Sequence, residues 1–323
     1  MITRKEKLLW LGYGIILVLL FLLSSTDLII KEEKREIYPI SVIVEDTSDI
    51  NYVNFRKGME QAAIERNADI SFITLYEAGS ASQQQELIAR EQQAGASALI
   101  VAPAQGGEIP EDLSRLADIP VVMVWTGQEP EQAEALVTTD FAQMGRDMAG
   151  QIAQSYDRDI PVYLIGRTLK HEGTESFERT LEEELESREF TICLSLEEDG
   201  NTYRTVLEQA ISQEPKGAVI VGLDPDSLRE AASVLKSDEK LRSYVRGLYG
   251  RGSAQEILEA LDRGIIRGIC ATDEFSAGYL SVCRAVEAVS GQRPQKRTVL
   301  DHYYIEKKDL RRPKYETMLY PIE

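Results

Sequence analysis

The chain has little of what most catalytic or covalently braced proteins need. It has three cysteines, Cys193, Cys270 and Cys283, in 323 residues. So few at this length exclude a disulfide scaffold, and their spacing fits no metal motif. Cys270 and Cys283 lie in apolar surroundings and read as small core residues. No G-x-S-x-G, P-loop or metal-ligand spacing occurs, so neither a catalytic set nor a cofactor or metal site is expected. His302 lies in a strand candidate far from any nucleophile pattern. Basic residues are also in deficit. Lys and Arg number 36 against 54 Asp and Glu, a net charge of -18. Such a surface repels phosphate backbones, which argues against a nucleic-acid partner. No low-complexity segment is present.

What the chain does have begins with one long apolar run. Residues Leu8 to Ile30 carry a single charge, Asp27, and follow Arg4, Lys5 and Lys7. About 20 apolar residues suffice to cross a bilayer. The run exceeds the ~7–15 residues of a signal-peptide core, and no A-x-A site follows. No cysteine follows either, which removes a lipoprotein anchor. A retained transmembrane anchor over residues 1–30 is therefore favoured over a cleaved signal. The basic N-terminus points to the cytoplasm, although Lys31, Lys34 and Arg35 flank the far end. On that orientation the rest of the chain is extracytoplasmic, behind a charged spacer at 31–38.

From Pro39 the pattern alternates. Short apolar runs rich in β-branched residues, such as Ile40–Val44, Ile70–Leu75, Ala98–Val101 and Ile119–Val124, read as strands. Between them Tyr52–Glu65, Ser82–Ala94 and Asp112–Ala117 repeat apolar residues at helical spacing. Ser82 is the expected N-cap of its helix, and Gly95 the expected C-cap. The pattern restarts after Asp140. Helices are expected at 141–156, 173–186, 201–212, 225–235, 254–261 and 273–290. Strands are expected at 161–166, 190–196, 218–222, 244–249 and 267–271, with a last candidate at 299–305. Near-continuous apolar strands alternating with helices predict α/β architecture with parallel sheets covered on both faces. Two similar lobes follow, and ligands on such sheets bind beyond the carboxyl ends of the strands. The basic C-terminal segment from Lys307 is expected to strap the surface of the second lobe.

Several segments carry a family resemblance. They are SVIVEDTSDINYVNFRKGMEQAA, QQQELIAREQQAGASALIVAP, IPVVMVW, TTDFAQMGRDMAG, LIGRTLKHEGTESF, KGAVIVGLDPDSL, VRGLYG and GIIRGICATDEFSAGYLSVCRAVEAVSGQRP. In order and spacing they resemble the type I periplasmic binding protein superfamily. More narrowly, they look like ribose- and galactose-binding proteins and the sugar-binding domain of lactose-repressor-like regulators. The resemblance implies two Rossmann-like lobes joined by a three-stranded hinge. The first would be 39–139 plus 272–300, and the second 140–271 plus 301–323. In place of a helical DNA-reading head stands the apolar run, which argues against the transcription-regulator branch.

The resemblance also implies ligand positions, and many of them differ here. In the first loop the matches are Ser48, Asp49, Asn51 and Tyr52. The family's Asp-Arg pair after the fourth strand becomes Trp125-Thr126. An arginine of the second lobe becomes His171. The family's Asn-Asp becomes Leu223-Asp224, and the aspartate of "GFDG" becomes Tyr249. The expected lining is therefore aromatic and poor in hydroxyl-binding groups: Asp49, Asn51, Tyr52, Trp125, Thr126, His171, Asp224 and Tyr249. Blander readings stand beside this one. Trp125 also suits a residue that merely fills the cleft, Tyr249 a packing residue, and His171 a surface or capping residue. The resemblance implies a solute-binding protein that hands a small, carbohydrate-like ligand to an ABC permease. The alternative is a sensor of the same fold that signals to a membrane partner such as a histidine kinase. An enzyme is the least favoured reading.

Overall fold

The computed structural model describes residues 3–25, 37–104, 119–126, 133–167, 172–197, 203–213 and 216–321. The expected helix at 112–117, most of the spacer and His171 lie outside the described residues. The chain forms two compact units, Met1–Ile37 and Tyr38–Glu323. The first contains helix α1 (Arg4–Ser25), with 22 residues and an apolar, exposed surface. At 1.5 Å per residue it is about 33 Å long, enough for the roughly 30 Å of a bilayer core.

The second unit holds two α/β lobes. The first begins with β1 (Tyr38–Ile43), α2 (Val53–Arg66), β2 (Ala68–Ile73), α3 (Ala81–Gln93), β3 (Ala98–Val101), β4 (Val121–Val124) and β5 (Ala135–Thr139). The second has α4 (Phe141–Ser155), β6 (Val162–Arg167), α5 (Glu172–Glu186), β7 (Ile192–Glu197), α6 (Tyr203–Gln213) and β8 (Ala218–Gly222). It continues with α7 (Pro225–Ser237), α8 (Glu239–Tyr244), β9 (Val245–Arg251), α9 (Gln255–Asp262) and β10 (Gly268–Thr272). The chain then adds α10 (Glu274–Val289), β11 (Arg297–Leu300), β12 (His302–Glu306) and α11 (Pro313–Leu319).

The first sheet has the order β11-β5-β4-β3-β1-β2, and the second β12-β10-β9-β8-β6-β7. Pairing is parallel throughout, except that β12 runs antiparallel to β10. Strands β3, β4, β5 and β8 are buried at every position, as strands covered on both faces must be. Each sheet has an apolar cluster on either face. The chain changes sheets after Thr139, after Thr272 and at Asp301.

Some local expectations are corrected. The last strand candidate, 299–305, is two strands in different sheets, broken at Asp301. Helix α3 starts at Ala81, with Ser80 rather than Ser82 at its N-cap, and Ser80 makes no side-chain capping bond. Helices α8 and α11 were too short to register as periodic segments.

The first two changes of sheet repeat one device. Asp140 caps α4 by accepting from the Gln143 amide at 2.8 Å, and Asp273 caps α10 by accepting from the Ser276 amide at 2.9 Å. Five residues after each aspartate comes a glycine at a helix crossing. A Cβ on Gly145 would lie 2.6 Å from the Phe177 carbonyl oxygen of α5. A Cβ on Gly278 would lie 1.9 Å from the Phe55 oxygen of α2, and one on Gly58 1.9 Å from the Phe275 oxygen of α10. Alanine adds about 1 kcal/mol of helix propensity over glycine. Forcing two backbones apart in a packed core costs about 1–3 kcal/mol or more. Gly278→Ala is therefore expected to lower the melting temperature despite its better propensity. An unchanged or higher melting temperature would show that the two helices are free to separate.

Candidate functional site

The carboxyl edges of the two sheets deliver charged residues to a common cleft. From the first lobe come Glu45 and Asp46 after β1, Asn51 before α2, and Trp125 and Thr126 after β4. From the second come Arg167 at the end of β6, Asp226 and Arg229 in α7, and Arg251 at the end of β9.

Asp226 is the centre of this group. Its side chain is buried, and a charge there must be paired. Arg167 donates to one carboxylate oxygen, and Arg229 lies 2.7 Å from the other. Asn51 reaches across from the first lobe and donates to Asp226 at 3.0 Å and to Asp46 at 3.2 Å. Arg229 in turn donates to the Asn51 carbonyl at 3.3 Å, and Arg167 lies 3.8 Å from Asp46. Two more bonds cross between lobes. The Thr126 hydroxyl donates to Glu172 at 2.9 Å, and the Ser253 hydroxyl to Glu274 at 3.0 Å.

Burial shifts several of these groups. Glu45 is raised to about 7 by burial, against the opposing pull of its own amide and the Tyr52 hydroxyl. Glu274 is also raised to about 7 by burial. Asp46 is raised by burial and by the Asp226 charge. The Arg251 guanidinium is lowered by burial; it donates to the Leu223 carbonyl at 2.7 Å and to Thr174, and lies over the Phe141 ring.

The expected site residues divide. Asn51 and Thr126 are in the cleft and bond across it. Trp125 is partly buried and packs against apolar clusters of both lobes, with its ring 6.1 Å from that of Phe55. Its φ of 61° is left-handed, a conformation that costs a non-glycine residue free energy. Tyr52 is buried against Phe55 and Phe72, and its hydroxyl bonds Glu45. Asp49 sits half-exposed at the rim, paired with Arg56 at 2.5 Å. The Asp224 carboxylate is engaged locally: it caps α7 through the Ser227 amide at 2.8 Å and accepts from the Arg167 amide at 3.2 Å.

Tyr249 is not brought to the cleft. Its ring packs on Tyr156 with the hydroxyls 3.0 Å apart. Together they line a depression of about 990 Å³ with Asp262, Arg267 and Lys307, at the amino edge of the second sheet. The reason is strand length. β9 runs two residues past Tyr249, and the residue it delivers to the cleft is Arg251. Tyr249 is therefore removed from the expected aromatic lining, and among the described residues charged groups stand beside Trp125 in the cleft. Of the missed groups, Glu45, Asp46, Arg167 and Arg251 lie at or within three residues of strand ends, and Asp226 lies in the first turn of α7. The exact strand ends are the signal for the first four.

This architecture has known counterparts. The profile of the periplasmic binding protein domain family matches residues 40–293, and the chain belongs to that family. No curated protein matches it in sequence. One similar solved structure is an ABC-transporter solute-binding protein from Agrobacterium vitis bound with alpha-D-tagatopyranose. It is 18% identical with a TM-score of 0.78, over 88% of this chain and 100% of that one. A carbohydrate-transporter solute-binding protein from Agrobacterium radiobacter, in complex with D-arabinose, is 17% identical with a TM-score of 0.78, over 87% and 98% of the two chains. GanP, a glucose-galactose binding protein from Geobacillus stearothermophilus, is 20% identical with a TM-score of 0.74, over 86% and 100%. At these identities the likeness is one of fold.

The buried acids give a pH signature. Glu45 and Glu274 hold protons in the folded chain up to about pH 7, against 4.5 for the ordinary group. Between those values the folded state binds more protons than the unfolded one, so stability falls as pH rises. At about 1.4 kcal/mol per unit, each group removes up to about 3 kcal/mol by pH 8. Glu274→Gln is expected to flatten the fall in melting temperature between pH 5.5 and 8. A wild-type profile in that variant would remove Glu274 as a source.

Proposed function

We propose that the chain is an extracytoplasmic solute-binding protein, held at the membrane by α1, whose interlobe cleft takes a carbohydrate-like ligand for an ABC importer. The observation that carries this reading is the meeting of hydrogen-bonding side chains from both lobes across one cleft, beside the indole of Trp125. Sugar recognition needs that combination: polar groups for the hydroxyls and an aromatic face for the C–H surface. The relatives from Agrobacterium vitis and Agrobacterium radiobacter hold sugars in the same fold, which supports the ligand class. No catalytic role is assigned to the cleft.

The same cleft serves a sensor that signals to a membrane partner such as a histidine kinase. The uninterrupted apolar helix α1 favours this second reading, because a retained anchor keeps the binding unit beside one membrane protein. Neighbouring genes separate the two: permease and ATPase for import, kinase and response regulator for sensing.

The test is a thermal-shift screen of the full-length chain in detergent against pentoses, hexoses and nucleosides. At least one sugar is expected to raise the melting temperature, because a ligand bound only to the folded state stabilises it by mass action. Trp125→Ala is expected to lose that shift. No response to any sugar would remove the carbohydrate reading. A full response in Trp125→Ala would return that side chain to a packing role.

A further inference from the structure

Glu45 stands two residues past the end of β1, and its Oε2 is shielded from solvent and has no hydrogen-bond partner among the described residues. Three described groups act on its carboxyl. Tyr52 of the same lobe bonds it, Asp46 adjoins it, and Arg251 faces it from the second lobe. Arg251 is already engaged by the Leu223 carbonyl and the Thr174 hydroxyl. A buried acceptor left unpaired is unfavourable, and native structures leave few of them. The vacant lone pairs lie at the carboxyl edge of the sheet, where ligands of open α/β folds bind.

The charges nearby are the second observation. Asp226 occupies both Arg167 and Arg229. An incoming anion would therefore meet Glu45 and Asp46 with no uncommitted guanidinium among these residues. An uncharged polyol meets an acceptor awaiting a donor.

We propose that Oε2 of Glu45 is the first lobe's anchor for a ligand hydroxyl, and that the cleft selects uncharged sugars over sugar acids and sugar phosphates. This rests on the sugar-binding reading above and assigns its specificity. The ligand hydroxyl donates and the carboxylate accepts, so binding favours the ionised form and displaces the proton that Glu45 holds near neutrality. Affinity therefore rises with pH through 7, as expected of a carboxyl buried beside Tyr52, Asp46 and Arg251.

The experiment is calorimetric titration of the full-length chain in detergent with D-galactose, D-arabinose, D-tagatose and D-galacturonate at pH 6 and pH 8. A neutral sugar is expected to bind several-fold more tightly at pH 8, and D-galacturonate not to bind. Glu45→Gln is expected to weaken the sugar at least tenfold and to abolish the pH dependence. Glu45→Asp, which keeps the charge but withdraws the carboxyl by one methylene, should weaken binding while retaining a pH dependence. Melting temperatures without ligand establish that both variants fold. Wild-type affinity and pH response in Glu45→Gln would overturn the assignment of Glu45 alone. D-Galacturonate binding as tightly as D-galactose would overturn the selectivity. A wild-type chain that binds none of the three neutral sugars removes the sugar-binding reading itself, and this assignment with it.

Discussion

The buried carboxylate of Asp226 organises the interior of this molecule. A charge withdrawn from water needs partners, and here three side chains supply them. Two come from its own lobe, Arg167 and Arg229. The third, Asn51, comes from the other. Because Asn51 also binds Asp46, the two lobes share one hydrogen-bond network rather than two abutting surfaces. Losing any one member would leave a buried polar group unsatisfied, so the network holds the lobes in a defined relative position.

That network sits where it does because both lobes solve the same problem in the same way. Each is a sheet of parallel strands, with antiparallel β12 added at one edge of the second, and its carboxyl edge faces the cleft. At the first two changes of sheet, an aspartate caps the next helix and a glycine five residues on admits a neighbouring helix. The equivalence of Asp140–Gly145 and Asp273–Gly278 makes the crossings rigid at their helical ends. Motion between lobes is then left to the short extended links. Of these, Thr139 and Leu300 are tied to each other by a hydroxyl-to-carbonyl bond of 3.0 Å.

The fold was legible in the sequence because it rests on apolar periodicity summed over many residues. Misplacing an element end by one or two residues does not change which sheet it joins. The site is not robust in that way. Side chains alternate along a strand, and only the last residue or two reach the cleft. Reading β9 as ending at Tyr249 rather than Arg251 turns a cationic wall into an aromatic one. Choosing Asp224 over Asp226 selects a helix cap over the centre of the network. The resemblance named Asn51 and Thr126, which bond across the cleft, and missed Arg251 and Asp226, because it fixed alignment and not strand length. The apolar stretch 299–305 hides its break for a related reason. Asp301 interrupts it where the chain leaves one sheet for the other, and apolar periodicity does not show which sheet a residue joins.

The C-terminal segment shows how such local facts set the energetics of opening. The expectation is a strap across the second lobe. Met318 and Leu319 are indeed buried in that lobe's core cluster. Yet Asn54 of α2 donates to the Leu319 carbonyl at 3.1 Å, and Lys57 to the Pro321 carbonyl at 3.2 Å. Asn51, Asn54 and Lys57 recur at a spacing of three, which places them along one side of the chain facing the second lobe. Hinge opening must therefore break two kinds of contact together: the buried network at Asp226 and the strap at α2. The strap bonds are each worth about 1 kcal/mol, as for hydrogen bonds that exchange with water. The network is worth more, because the Asn51 bond that opening breaks is to the buried carboxylate of Asp226, and hydrogen bonds to charged groups are worth about 1.5–3 kcal/mol. Arg167 and Arg229 belong to the same lobe as Asp226 and move with it. The Asp226 charge therefore stays paired when the lobes part; what is lost is the Asn51 bond to Asp226, the Arg229 bond to Asn51 and the 3.8 Å approach of Arg167 to Asp46, while Asn51 keeps Asp46. The balance between open and closed forms therefore rests on a few hydrogen bonds made across the cleft, several of them to charged groups, around an Asp226 ion pair that neither form breaks.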